Sequence, residues 1–341
     1  MVATVILHVG PYKTGTTALQ KAFSANVDLL ARHGILYPQT GRVGDSHAVL
    51  AEALLRSDRA GLADLARESE GWRAVLISCE HLSALDPADL VALRDAYPKA
   101  SFRIAYALRR LVGLWPSHWA ELVKHGQFLS FKGYLDRVTE RDDRPFFAPI
   151  LPARQLDRLA DVFGVSALHL SLYDQSQAEG LDLGPAFIDD LLGLGQIASA
   201  FATRRANLSP SDLETALVYL LARRAGPLAN HGTKRAARSL LLDVLRSDPP
   251  PPWLQPLQTA LVQTDRIVFD SRHPLVADEQ AALVDRFATL VPEGIESYLC
   301  DDRREVPHLD TLQLPPDASK LLARTFDSLL AAVRPDWVPP D

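Results

Sequence analysis

The chain has 341 residues, 47% of them hydrophobic, enough to bury one large core or a core with an appended lobe, which excludes wholesale disorder. Its formal net charge of −6 argues against a general polyanion binder, and so against a nucleic-acid partner, because non-specific nucleic-acid affinity comes from many phosphate-neutralising Lys and Arg. The two cysteines, Cys79 and Cys300, lie far apart without CxxC or Cys/His ligand spacing, which speaks against a disulfide framework or a zinc site.

The opening MVATVILHVG is apolar, lacks a basic n-region and a small-residue cleavage site, and runs straight into a glycine loop. It reads as a buried first strand, Thr4–Val9, rather than a signal peptide. Helical periodicity follows over Thr16–Leu30 and His47–Leu55; strands are predicted at Ala74–Ser78, Phe102–Leu108 and Ala167–Tyr173, with helical segments Leu90–Ala96 and Leu151–Val162 between them. This alternation implies an α/β, P-loop-like three-layer fold, a central mainly parallel sheet flanked by helices. From about Ser209 the pattern changes: Leu213–Leu221, Ala236–Leu245 and Ala281–Leu290 read as helices, with no strand evident. Pro249 to Pro252 reads as a stiff connector, and Pro315–Pro316 with the terminal VPPD as a surface tail. The expected organisation is an α/β core with the nucleotide site over residues 1–208 and a C-terminal helical lobe over 209–341, packed together as one integrated domain. No run of about 18 apolar residues occurs, so no membrane span is expected, and cytoplasm is the default compartment.

Between the first strand and first helix lies HVGPYKTGTTALQ, His8 to Gln20, with Gly10 and Gly15 where α/β proteins hold phosphates. Glycines let backbone N–H groups turn toward an anion, and the following helix offers its orphan N–H groups and positive dipole end. Thr14, Thr16 and Thr17 add hydroxyls. Gly10-x4-Gly15 imitates the start of a Walker A loop, but Thr16 stands where the lysine belongs and Lys13 comes earlier. An ordinary kinase needs that later lysine together with magnesium.

The run Pro11, Tyr12, Lys13, Thr14, Gly15, Thr16, Thr17 resembles the 5′-phosphosulfate loop of sulfotransferases that use 3′-phosphoadenosine 5′-phosphosulfate (PAPS). Tyr12 is an insertion relative to the common cytosolic form, whereas bacterial members with H-x-G-x-x-K-T-G-T-T-x-L-Q match closely. Family members also carry an Arg at a strand end and a Ser eight residues later that hold the nucleotide 3′-phosphate. In ALRRLVGLWPSHWAELVKHG these are Arg109 and Ser117, and Arg110 replaces Arg109 if the strand ends one residue later. An Arg fork and a hydroxyl suit a phosphate dianion. Trp115 and Trp119 read as core, and Pro116 as a helix start or kink. In FATRRANLSPSDLE, the resemblance implies that Arg204, Arg205 or Asn207 closes over the nucleotide, while Ser209 with Pro210 and Asp212 serves equally as a helix cap. The resemblance covers residues 4–20 and 75–125 well and 165–220 loosely.

It implies PAPS as donor, the 3′,5′-bisphosphate PAP as product, and no metal. Lys13 would neutralise charge growing on the bridging oxygen while Thr16, Thr17 and loop N–H groups hold the 5′-phosphate. A base belongs at the end of the second strand, where AVLISCEHLS supplies Glu80, like the carboxylate of bacterial and glycan-type members, and His81, like the His-Leu pair of cytosolic ones. On extended backbone the two point to opposite sides, so one of them approaches the acceptor. Glu80 is preferred; His47 is a third candidate that also fits a helix start, and His8 reads as a satisfied core histidine. The acceptor is a hydroxyl or amine of a carbohydrate, lipid or small metabolite, with Tyr37–Asp45 and Gln127–Tyr134 as candidate acceptor loops. Two other readings stay open: a P-loop small-molecule kinase and a catalytically silent nucleotide-binding scaffold.

Overall fold

The computed structural model describes residues 2–127, 129–140, 150–173, 182–203, 210–226, 231–290 and 303–339. In chain order, strand β1 (Thr4–Gly10) leads to helices α1 (Thr16–Ala25) and α2 (Val27–Arg32), and β2 (Ile35–Leu36) to α3 (Ala48–Leu54) and α4 (Gly61–Glu68). Next come β3 (Ala74–Ser78), a 3₁₀ turn over Glu80–Ala84, α5 (Pro87–Asp95) and β4 (Ser101–Leu108). Helices α6 (Leu111–Lys124), α7 (Phe131–Glu140) and α8 (Pro152–Phe163) precede β5 (Leu168–Leu172) and α9 (Leu183–Leu192). The remainder is α10 (Asp212–Ala225), α11 (His231–Leu245), α12 (Leu254–Gln263), β6 (Arg266–Asp270), α13 (Pro274–Phe287), β7 (Arg303–Pro307) and α14 (Pro316–Val333). Local chemistry sets many of these ends. Pro87, Pro152 and Pro274 occupy first helical turns, where a missing N–H costs nothing. Asp182 caps α9 through Gly184 N–H, and α10 opens with a capping box between Ser211 and Glu214, so the cap falls on Ser211 rather than Ser209.

The chain divides into two units. The first, Met1–Leu114 with Asp143–Leu208 and Ser271–Asp301, holds a parallel sheet of order β2-β3-β1-β4-β5. Both sheet faces are covered, because successive side chains point to opposite sides. Val5, Leu7 and Val9 join Val75, Ile77, Ile104, Tyr106 and Leu108 in one cluster, sealed by Leu50 and Leu54 of α3, Leu90 of α5, Leu156 and Leu159 of α8 and Leu283 of α13. Ile6, Leu76 and Ala105 face the other way, under Leu19 and Phe23 of α1, Leu30 of α2 and Ile188 of α9. This is an α/β fold of three layers.

The second unit is Trp115–Asp142, Ser209–Asp270 and Asp302–Asp341. Trp115, Trp119, Phe131, Tyr134 and Phe269 are buried in it, the Trp115 and Phe269 rings 5.8 Å apart, and Trp253 Nε1 donates to Thr325 Oγ1 at 3.0 Å. The contacts do not divide the chain at 208/209: α13, placed in the lobe by sequence, belongs to the first unit, where its Glu279 accepts from Ala153 N–H of α8 at 2.7 Å. A second correction concerns strands. β6 and β7 pair antiparallel, Arg266 opposite Pro307, although no strand was evident after Ser209. Both are short with mostly charged or half-exposed positions, so their pairing partner rather than their pattern defines them. Pro116 lies inside α6 and does not start it. Among the described residues no helix is long and apolar enough to cross a membrane.

Candidate active site

The chain leaves β1 toward the face covered by α1, whereas it leaves the neighbouring β3 toward the opposite face, covered by α5. A crevice opens where connections diverge in this way, at the carboxyl ends of the strands. The motif residues of the first unit converge there: Gly10 to Thr17 after β1, Glu80 and His81 after β3, and Arg109 directly after β4. Because β4 stops at Leu108, Arg109 is the strand-end arginine; the Arg110 carbonyl instead accepts from Gly113 and Leu114 N–H at the start of α6.

The loop is held in an uncommon shape. Lys13 has φ 67° and Gly15 φ 81°, and among the described residues only Ser57 shares Lys13's positive φ without being glycine. An αL lysine stores roughly 1–3 kcal/mol that the surroundings must offset, and such strain gathers at functional sites. Two bonds hold it: Thr14 Oγ1 donates to the Pro11 carbonyl at 2.6 Å, and Arg109 Nη1 donates to the Lys13 carbonyl at 2.6 Å. The Thr14 hydroxyl proton therefore closes the loop. The Arg109 guanidinium also lies 5.2 Å from the centre of the Tyr173 ring, just past β5. Helix α1 starts at Thr16 with no side-chain cap and no acidic residue in its first turn, so its positive end is left for an anion. A loop with two αL residues, an uncapped helix start, Lys13, and buried Thr16 beside half-buried Thr17 fits a 5′-phosphosulfate.

Glu80 and His81 do not continue the strand. They open a 3₁₀ turn, Glu80–Ala84, so the expectation of opposite-pointing side chains on extended backbone is replaced by a tight bend, with Ser83 Oγ donating back to the Glu80 carbonyl at 2.8 Å. Gly10 lets that bend approach β1: a Cβ there, at φ +91°, would stand 2.9 Å from Glu80 Cβ. Glu80 Oε2 accepts from Gln20 Nε2 of α1 at 2.8 Å. His81 lies 5.3 Å, centre to centre, from the Tyr12 ring; burial holds its imidazole below the usual range against the pull of Glu80 and Glu52. Burial, reinforced by the Glu80 carboxylate, pushes the Tyr12 phenol well above its ordinary value.

Two other histidines brace the strand end. Ser78 N–H donates to His47 Nδ1 at 3.1 Å, which leaves His47 Nε2 to donate to the Pro38 carbonyl at 3.1 Å. His8 Nδ1 meets Ser78 Oγ at 2.8 Å. Burial lowers both imidazoles to about 4. His47, fully buried at the start of α3 with both nitrogens engaged, is a clamp and not a base, and His8 is a satisfied core histidine. Both hold Ser78, two residues before Glu80, His47 by its backbone and His8 by its hydroxyl.

Ser117 is buried on α6 in the second unit. Arg204, Arg205 and Asn207 lie outside the described residues. Of the acceptor loops, residues 37–45 are held by Tyr37 Oη donating to the Asp45 carbonyl at 2.6 Å and by Glu68 accepting from Gln39 and Thr40 N–H. Residues 127–134 belong to the second unit. Sequence reasoning gave no role to Gln20 or Tyr173. Gln20 closed the quoted motif, a signal that could have drawn attention to it; Tyr173 gave none beyond ending a strand. Among the described residues no group of three His, Cys, Asp or Glu is placed to hold a metal.

No family model and no curated protein sequence matches the chain. Among solved structures, a sulfotransferase from Alicyclobacillus acidocaldarius is similar over 71% of this chain and 96% of its own, at 19% identity and a TM-score of 0.38. A likeness that distant carries no weight for function.

Proposed function

We propose that this protein is a metal-independent sulfotransferase that moves the sulfuryl group of PAPS to a hydroxyl or amine of a carbohydrate, lipid or small metabolite in the cytoplasm. The observation that carries it is the convergence of three strand ends: an αL Lys13 loop without the Walker lysine, Arg109 bonded to that loop, and Glu80 against Gly10. Sulfuryl transfer is an in-line displacement, so the protein's work is positioning, leaving-group stabilisation and removal of the acceptor proton. Glu80 takes the acceptor proton as the new O–S or N–S bond forms. The S–O bond to the 5′-phosphate breaks, its electron pair stays on the bridging oxygen, and Lys13 meets that growing charge. The loop N–H groups with Thr16 and Thr17 hold the 5′-phosphate. The resemblance gives Arg109, Ser117 and Arg205 to the rest of the nucleotide.

Calorimetry without added metal tests the reading. PAP should bind better than ATP or adenosine 5′-phosphosulfate, and a radiolabelled PAPS screen against acceptor classes should then yield labelled product. Magnesium-dependent ATP binding that PAP does not displace would establish a kinase instead. Tight PAP binding with no transfer to any acceptor class would leave a nucleotide-binding scaffold.

A further inference from the structure

We propose that Gln20 is the positioning residue of this site, holding one carboxylate oxygen of Glu80 so that the other faces the acceptor, and tying the base to the phosphate loop through a single helix. Gln20 is 4% exposed, and its amide Nε2 donates to Glu80 Oε2 at 2.8 Å. A long polar side chain buried in an apolar helix face is costly unless its groups are bonded, so Gln20 has a reason to keep this partner. It lies one turn after Thr16, the first residue of α1, and residues four apart share a helix face. The residue that begins the anion-binding end of α1 and the residue that grips the base are thus fixed by the same turn. At its other end Glu80 is pressed against Gly10, where a Cβ would come within 2.9 Å of Glu80 Cβ and 3.2 Å of its Cα. Backbone position is therefore set by β1 and carboxylate orientation by α1.

The bond leaves Glu80 Oε1 as the atom that accepts the acceptor's proton. Supports of this kind keep a reacting group within a fraction of an ångström of its productive place. Burial alone does not require a glutamine at this position: Leu19 and Phe23 on the same buried face are apolar and pack on the sheet. What Gln20 adds to them is a donor aimed at Glu80.

A double-mutant cycle tests this with two readouts, and only the kinetic one rests on the sulfotransferase reading. The variants are Gln20→Met, of similar length without the donor, Glu80→Ala, and the pair together. In thermal unfolding each single variant should lower Tm by about 1–3 °C, and the pair should lower it no further than the worse single. In PAPS turnover Gln20→Met should lower kcat about 10–100-fold in the wild-type background, leave the PAP dissociation constant within about 2-fold, and cost nothing more once Glu80 is Ala. A comparison that leaves Gln20 in place guards against a misfolded core variant: Glu80→Gln keeps an acceptor oxygen and should keep the wild-type Tm, whereas Glu80→Ala should not. Equal Tm for those two, or additive effects in the cycle, would overturn the role of Gln20 while PAP binding stands. Absent PAP binding alongside a coupled Tm would overturn the sulfotransferase reading and leave the Gln20–Glu80 bond intact.

Discussion

Lowering the pH from 7.5 to 5 should destabilise this protein through His8 and His47. Both imidazoles are buried, and burial lowers each from 6.5 to about 4. Above pH 6.5 each is neutral in the folded and unfolded chain, so neither costs stability. Between 6.5 and 4 the unfolded chain takes up a proton that the folded chain refuses, and the cost grows as the pH falls; below 4 it is constant. At pH 5 the difference comes to about 2 kcal/mol for each histidine, a large share of a typical folding free energy of roughly 5–15 kcal/mol. The geometry explains the refusal at His47: a proton on Nδ1 would face the Ser78 N–H that now donates to it. Urea unfolding at pH 7.5 and 5 measures the effect. His47→Gln can still accept from Ser78 and donate to Pro38, and should remove about half of the loss contributed by this pair. An unchanged difference between the two pH values in both His47→Gln and His8→Phe would refute the idea that desolvated histidines brace this strand end.

Four further outcomes follow from the site. Gly10→Ala puts a methyl against the Glu80 backbone at φ +91° and should cost about 1–3 kcal/mol of stability in urea unfolding, with kcat falling as Glu80 is displaced. Arg109→Ala should weaken PAP binding roughly 10–100-fold by calorimetry; because the guanidinium also holds the Lys13 carbonyl, limited proteolysis after Lys13 should quicken. Lys13→Ala should lower turnover about 10²–10³-fold while nucleotide affinity suffers less, the scale of losing one stabiliser of developing charge. Glu80→Gln should cut turnover about 10²–10⁴-fold with PAP affinity nearly intact, and His81→Asn should be mild; the reverse pattern in steady-state kinetics would move the base by one residue.

The layered fold was legible in the sequence because buried parallel strands are short apolar runs. Ala74–Ser78 was placed to the residue, and the other three long strands to within one residue at each end. The tight loop after β1 was legible for a similar reason: Gly10, Lys13 and Gly15 must lie close together in sequence to shape one turn. The tertiary structure decided everything that depends on residues distant in the chain. No local pattern announces that Gln20 reaches Glu80, 60 positions away, or that Arg109 holds the carbonyl of Lys13, 96 positions earlier. His47 shows the same limit, since its dismissal as a base needs Ser78 and Pro38 on its two ring nitrogens. The turn at Glu80, the pairing of β6 with β7 and the place of α13 beside α8 were likewise invisible, because each is fixed by a partner element rather than by its own periodicity. Periodicity records which face of a segment avoids water; only the folded chain supplies the atoms that segment meets.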